Sequence, residues 1–123
     1  MNYSESTRWY FENATCAGTA TGTDWFRGQA GSPERGTWVQ FDVQVPADGD
    51  IRSVRFLAFG CPHVIAACQW VAEHAVGAAA GTRLPEGVQA LSARLDAPIE
   101  KLGRFLIVED AWAAALQRAR RDR

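Results

Sequence analysis

Residues 59–70, FGCPHVIAACQW, contain the side chains in this sequence best suited to chemistry. Cys61 stands directly before a proline and two positions before His63, and Cys68 follows seven positions later. A cysteine in this setting could be a metal ligand, a reactive thiol, or only a small residue that closes a strand-to-helix turn. Its reactivity depends on the elements that flank it.

A helix start next to Cys61 would activate its thiol. Pro62 favours the first position of a helix, which would make Cys61 the N-cap residue. Helix starts carry unsatisfied amide groups and a partial positive charge, and both favour an anion. We therefore expect a lowered pKa for the thiol, and the thiolate is the form that binds metals and attacks electrophiles. His63 lies in the first turn and would project towards the same site, unless it is an ordinary surface or capping histidine.

The other two cysteines are less well placed for this site. Cys68 lies two helical turns, about 10 Å, further along the axis than Cys61, and we predict a core residue there because buried cysteine acts as a small hydrophobe. Cys16 falls in a stretch rich in glycine, threonine and alanine, which predicts a loop. It could reach Cys61 only if that loop folds inward. No Cys-x-x-Cys pair occurs, which argues against a zinc ribbon or a thioredoxin-type pair and favours a reduced compartment.

Two alternating segments predict an antiparallel hairpin in front of Cys61. Residues 37–45, TWVQFDVQV, and residues 51–59, IRSVRFLAF, alternate along their length. A period of two predicts strands with one buried face. The intervening PADGD is typical of a turn, and one more strand is predicted near residues 23–28.

Helices are predicted on both sides of the hairpin. Ser4 is the expected N-cap of a helix over residues 5–13. After Gly60, apolar residues recur every three or four positions to about Gly77, and a short helix is expected near residues 86–95. One face of a long last helix is marked by Ile99, Leu102, Leu106, Ala113 and Leu116.

This order of elements predicts an α+β protein, a two-layer sandwich in which a small antiparallel sheet of about three strands is covered on one face by helices. The chain length fits one domain, residues 1–123. A net charge of −1 gives no reason to expect a nucleic-acid partner, and no apolar stretch is long enough to span a bilayer. The N-terminus lacks a hydrophobic signal core, so we expect a cytoplasmic protein that binds neither membrane nor nucleic acid.

Three segments together form a recognisable pattern. The first contains Tyr3-Ser4-Glu5 and Phe11-Glu12-Asn13, the second is FLAFGCPHVIAAC, and the third is KLGRFLIVEDAW. In this order and separation they resemble the opening helix, the strand-to-helix turn and the last helix of the NifU/IscU family of iron–sulfur cluster assembly scaffold proteins. The resemblance covers most of the chain, and the family fold that it implies is of the same α+β type.

The resemblance also implies which positions belong to the family's metal site. Family members bind a cluster or zinc through three cysteines, helped by an aspartate or a histidine, and Cys61 occupies the second cysteine position. Arg35 stands in place of the first cysteine and Thr37 in place of the aspartate. Arg104 stands in place of the third cysteine and Gly103 in place of the histidine before it. Because a guanidinium cannot ligate a metal cation, the ordinary three-cysteine site is absent.

Three hypotheses for function follow from the resemblance. The first is an iron–sulfur cluster assembly scaffold or accessory protein that binds a cluster, iron or zinc through Cys61. His63, Cys16 or a second subunit would complete that site, and the partner would be a cysteine desulfurase or another iron–sulfur assembly protein. The second is a metal-free binding or adaptor module in which Arg35 and Arg104 line an anion pocket near Cys61, unless they pair with surface acids. The third, an enzyme or sulfur carrier with an activated thiol, ranks last because no histidine–carboxylate pair orients the thiol, so we expect no enzymatic activity.

Overall fold

A three-stranded antiparallel sheet forms one layer of the part of the chain that the structure describes. The computed structural model describes residues 3–81 and 83–122. The strands are β1 (Trp25–Ser32), β2 (Thr37–Gln44) and β3 (Ser53–Phe59), and they lie side by side in that order. The predicted hairpin of β2 and β3 is confirmed, whereas the first strand extends further along the chain than the predicted residues 23–28.

The same described residues form four α-helices. These are α1 (Glu5–Glu12), α2 (Pro62–Ala75), α3 (Val88–Arg94) and α4 (Leu102–Arg121), and short 3₁₀ turns occupy Pro33–Arg35 and Ile99–Lys101. Ser4 is the N-cap of α1, as predicted, since its hydroxyl accepts a 3.0 Å hydrogen bond from the Thr7 amide. Cys61 is the N-cap of α2, also as predicted. None of these helices is both long and apolar enough to cross a membrane.

The helices pack on one face of the sheet and form the second layer. α4 crosses β1 and β2, α2 lies over β3, and α1 and α3 pack against α2 and α4 respectively. Phe41 of β2 meets Trp112 of α4 edge to face, with ring centroids 5.2 Å apart, and lies opposite Phe56 of β3. The predicted two-layer α+β architecture is confirmed.

The buried face of α4 differs from the predicted one. Ile99 is 82% exposed in a 3₁₀ turn and Leu106 is 44% exposed. Of the five residues that marked the predicted face, only Leu116 is fully buried. The helix instead buries Phe105, Val108, Ala111, Trp112, Ala115, Leu116 and Ala119. Ala111 and Ala115 let the α4 backbone approach Gly28 of β1 closely, whereas Ile99 and Leu106 remain exposed.

The second face of β2 is also covered, although the alternation predicted only one buried face. Asp42 is 1% exposed and accepts hydrogen bonds from the Arg27 guanidinium at 2.7 Å and from the Ala20 amide at 3.0 Å. The loop that contains Ala20 therefore lies across this face. Gln40, which is 4% exposed, accepts a hydrogen bond from Gln29 of β1.

Candidate functional site

Three connections of the chain meet at the end of the sheet where β3 finishes. Trp38 of β2 lies opposite Phe59 of β3, which places the β1–β2 turn and the β3–α2 turn at the same end. The first half of α4 reaches this end too, because a Cβ added to Gly31 would lie 2.9 Å from Ile107 Cγ2. Cys61 follows β3 directly and therefore lies close to the start of α4.

The Cys61 thiol is half-buried, and the charges around it favour the thiolate. Burial alone would raise its pKa. Interactions with the backbone N–H groups of Val64 and His63 act in the opposite direction, although neither is a capping hydrogen bond of standard geometry. The guanidinium of Arg104 and the charge of Lys101 also lower the pKa. The net result is a pKa for Cys61 below the ordinary value of 9.0.

His63 lies beside this thiol and is almost fully buried. Its exposed fraction is 2%, its ring meets the Tyr3 ring edge-on with centroids 4.9 Å apart, and its Nδ1 lies 3.9 Å from Cys61 Sγ. Burial lowers the pKa of His63 below its ordinary 6.5, and the charges of Lys101 and Arg104 lower it further. The imidazole is therefore neutral at pH 7. A neutral imidazole and a thiolate are the forms in which these two side chains bind a metal.

The structure brings some of the predicted site residues together and leaves others apart. Arg104 acts directly on the Cys61 thiol. Arg35 is exposed in the β1–β2 turn and, within the described residues, forms no hydrogen bond or ion pair with Cys61. Cys16 lies beside α2, where its amide donates a 2.9 Å hydrogen bond to Gln69 Oε1. Gln69 is eight residues beyond Cys61, or about 12 Å along the helix axis.

Two residues of this site were missed by the sequence analysis. Lys101 supplies the second cation near Cys61, where Arg35 was expected. Its position three residues before Arg104 was a usable signal, because residues at that spacing share one side of a helical turn. Tyr3 contacts His63 across the fold, and no local pattern could have indicated that contact.

Cys68 is a core residue, as predicted. Its side chain is fully buried in the apolar cluster between the helices and the sheet. Burial raises the pKa of this thiol far above its ordinary value, so the thiol stays protonated and unreactive. It takes no part in the Cys61 site.

The family model described as the NifU-like N terminal domain matches residues 2–120. The chain belongs to this NifU-like family. No curated protein matches the sequence.

Solved structures share the fold of this NifU-like chain at low sequence identity. One is the N-terminal part of a nitrogen-fixing NifU-like protein from Brucella abortus, with 16% identity, a TM-score of 0.75, and coverage of 98% of this chain and 95% of that one. Another is a proposed iron–sulfur cluster assembly scaffold protein for the SUF system from Fervidobacterium islandicum AW-1. It has 15% identity, a TM-score of 0.63, and coverage of 93% and 96%.

Within residues 3–81 and 83–122, the site around Cys61 does not contain a complete set of metal ligands. Among the described residues, no group of three or more histidine, cysteine, aspartate or glutamate side chains could hold a metal ion. Cys61 and His63 supply two candidate ligands, whereas a structural zinc takes four. The residues present therefore fit a metal or cluster only if further ligands come from elsewhere.

Proposed function

We propose that this chain acts in iron–sulfur cluster assembly and that Cys61 and His63 are two ligands for a cluster, iron or zinc. Membership of the NifU-like family supports the assembly role. The observation that carries the choice of ligands is the 3.9 Å distance between Cys61 Sγ and His63 Nδ1. A sulfur and a nitrogen bound to one tetrahedral zinc, at about 2.3 and about 2.0 Å, lie about 3.5 Å apart. A shift of a few tenths of an ångström would bring the Cys61 sulfur and the His63 nitrogen to this separation.

The remaining ligands would come from outside this pair. Inorganic sulfide of a cluster, a second copy of the chain, or an assembly partner such as a cysteine desulfurase could supply them. Cys16 remains a candidate only if its loop leaves Gln69. The proposed role is that of a binding scaffold or accessory protein in the cytoplasm, not that of an enzyme.

The cations beside the thiol are compatible with this cargo. Lys101 and Arg104 oppose a bare metal cation, but they stabilise thiolate, sulfide and the negative charge that sulfur ligands give a cluster. We therefore expect a cluster, or a metal with several anionic ligands, to bind better than a lone hydrated cation.

The test is the metal and acid-labile sulfide content of anaerobically purified and reconstituted protein. We expect iron with sulfide, or zinc, in the unmodified protein, and loss of most of it in Cys61→Ser. His63→Gln should retain less metal than the unmodified protein. Cys16→Ser decides whether that thiol contributes. Cys68→Ala is the matched control, because its thiol is buried away from the site and its metal content should not change.

Two results would contradict the proposal. Unchanged metal in Cys61→Ser would remove Cys61 from the ligand set. Absence of metal and sulfide from the unmodified protein, even after reconstitution, would overturn metal binding altogether. The second result would favour the metal-free alternative, in which Arg104 and Lys101 hold an anion beside Cys61, although the family membership supports the assembly role over that alternative.

A further inference from the structure

The two outer edges of the sheet differ in whether other parts of the chain cover them. At the outer edge of β3, a parallel bridge between Ala17 and Phe56 covers part of the strand, and the Gly18 amide donates a 2.8 Å hydrogen bond to the Phe56 carbonyl. At the outer edge of β1, no described residue forms a strand or bridge. β1 is eight residues long and contains no proline or lysine, which are common protections of an exposed edge.

The hydrogen-bond pattern shows which backbone groups point to the outer edge of β1. Asp24 precedes β1 and lies opposite Val45, which follows β2. The Val45 amide donates a 2.8 Å hydrogen bond to the Asp24 carbonyl, so the backbone groups of Asp24 point towards β2. Along an antiparallel strand, successive residues direct their backbone N–H and C=O groups to opposite edges. The N–H and C=O groups of Arg27 and Gln29 therefore face outward, and no described residue accepts or donates to them. These groups can pair with an added strand.

A positively charged groove runs along this edge. Its volume is about 370 Å³. It is lined by Arg27, Gly28 and Gln29 of β1 and by Ala114, Gln117, Arg118 and Arg121 of α4. We call this set of residues the β1 groove. Arg118 and Arg121 are exposed, and no described acid forms an ion pair with either.

The positive charge that is available to a ligand lies on the α4 side of the groove. Arg27 is held by Asp42, so part of its charge is already compensated. Asp110 lies on the same side of α4 one turn before Ala114, and Asp122 lies with Arg118 in an adjoining depression of about 310 Å³. Arg118 and Arg121 are thus the cations available to a ligand, next to the outward-facing backbone of β1.

We propose that the β1 groove binds an extended acidic segment of a partner protein, which adds to β1 as a fourth strand. The outward N–H and C=O groups of Arg27 and Gln29 would pair with the segment's backbone, which supplies the affinity of strand addition. Acidic side chains on the segment would lie against Arg118 and Arg121 and select for charge. Pairing with β1 of a second copy is disfavoured, because it would bring the same arginines together. This surface is separate from the Cys61 site and does not depend on metal binding.

The test uses a capped peptide of ten residues that alternates valine and glutamate. Fluorescence anisotropy measures its binding, and NMR hydrogen exchange reports on the Arg27 and Gln29 amides. We expect binding that slows exchange of both amides and weakens at least fivefold in the double variant Arg118→Glu/Arg121→Glu. Arg120→Glu is the control for each single variant, Arg118→Glu and Arg121→Glu, because it makes the same change of two charge units in the same last turn of α4 but lies outside the groove.

A second peptide tests strand addition itself. The same sequence with an N-methyl group on every residue keeps its charge but has no backbone N–H to donate from either edge, and we expect it not to bind. The proposal is overturned if the two peptides bind equally, if Arg120→Glu weakens binding as much as either single variant, or if neither peptide binds. Self-association through β1, seen by analytical ultracentrifugation and abolished by the double variant, would also overturn it in favour of a dimer.

Discussion

At the scale of single residues, the chemistry of this protein depends on a balance at the Cys61 thiol. Burial favours the protonated thiol, whereas the start of α2, Arg104 and Lys101 favour the thiolate. Burial lowers the pKa of His63, and the charges of the same two cations lower it further, so the imidazole is neutral. Lys101 and Arg104 therefore favour the metal-binding form of both candidate ligands. A positive charge stabilises the Cys61 thiolate and destabilises the protonated, cationic form of His63.

The first prediction concerns the pH dependence of thiol alkylation in the metal-free protein. Arg104→Ala removes a positive charge that stabilises the thiolate, so the pKa of Cys61 should rise and the midpoint of alkylation should move to higher pH. Lys101→Ala should shift it in the same direction. The measurement is the rate of iodoacetamide modification of Cys61 as a function of pH, followed by mass spectrometry.

Arg35→Ala provides the control for that experiment. Arg35 belongs to the same end of the sheet, but it is exposed and does not act on the thiol. We expect no change in its alkylation profile. An equal shift in all three variants would mean that overall charge, not the position of Lys101 and Arg104, sets the reactivity of Cys61.

At the scale of elements, the contact between α4 and β1 depends on the absence of a side chain at Gly28. A Cβ added there would lie 2.1 Å from the Ala115 nitrogen and 2.6 Å from the Ala111 oxygen. Both atoms belong to the helix backbone and cannot move aside independently. The lining of the β1 groove and the start of α4 near Cys61 are both positioned by this close approach.

The second prediction is that Gly28→Ala destabilises the protein by about 3 kcal/mol, because α4 must move away from β1 to make room. Urea unfolding measures the change. Gly103→Ala is the matched control on α4, since a Cβ there meets nothing within 4 Å. Because alanine is the better helix former, that variant should be stabilised by up to about 1 kcal/mol. Equal effects of the two substitutions would show that α4 does not pack closely on Gly28.

At the scale of the whole molecule, Trp112 connects parts of the chain that are distant in sequence. It is 1% exposed and packs edge to face on Phe41 of the sheet. Its indole N–H donates a 2.9 Å hydrogen bond to the Arg83 carbonyl, in the connection between α2 and α3. This one side chain therefore joins the last helix to the sheet and to the connection between α2 and α3.

The third prediction is that Trp112→Phe lowers the free energy of unfolding by about 1–3 kcal/mol, because it leaves the Arg83 carbonyl without its donor and opens a small cavity. Urea unfolding followed by circular dichroism measures the loss. Trp9→Phe, at a side chain that is 54% exposed, should change the free energy by no more than about 0.5 kcal/mol. A loss of similar size in both variants would mean that Trp112 has no special connecting role.

Features that depend on neighbours along the chain were predictable from the sequence alone. Strands β2 and β3 follow from a period of two, and the start of α2 at Cys61 follows from Pro62 and the periodicity behind it. The N-cap at Ser4 is equally local. The order of these elements predicted the two-layer fold, and the family resemblance of three segments predicted a ligand position at Cys61.

Contacts between side chains that are distant in sequence depend on the tertiary structure. The buried face of α4 combines alanines packed closely on Gly28 with large residues such as Phe105 and Trp112, so the predicted face through Leu106 was wrong. The burial of His63 and the presence of Lys101 beside Cys61 depend on how α1, α2 and α4 come together at one end of the sheet. Such contacts join residues far apart in sequence, and no local periodicity or propensity specifies them.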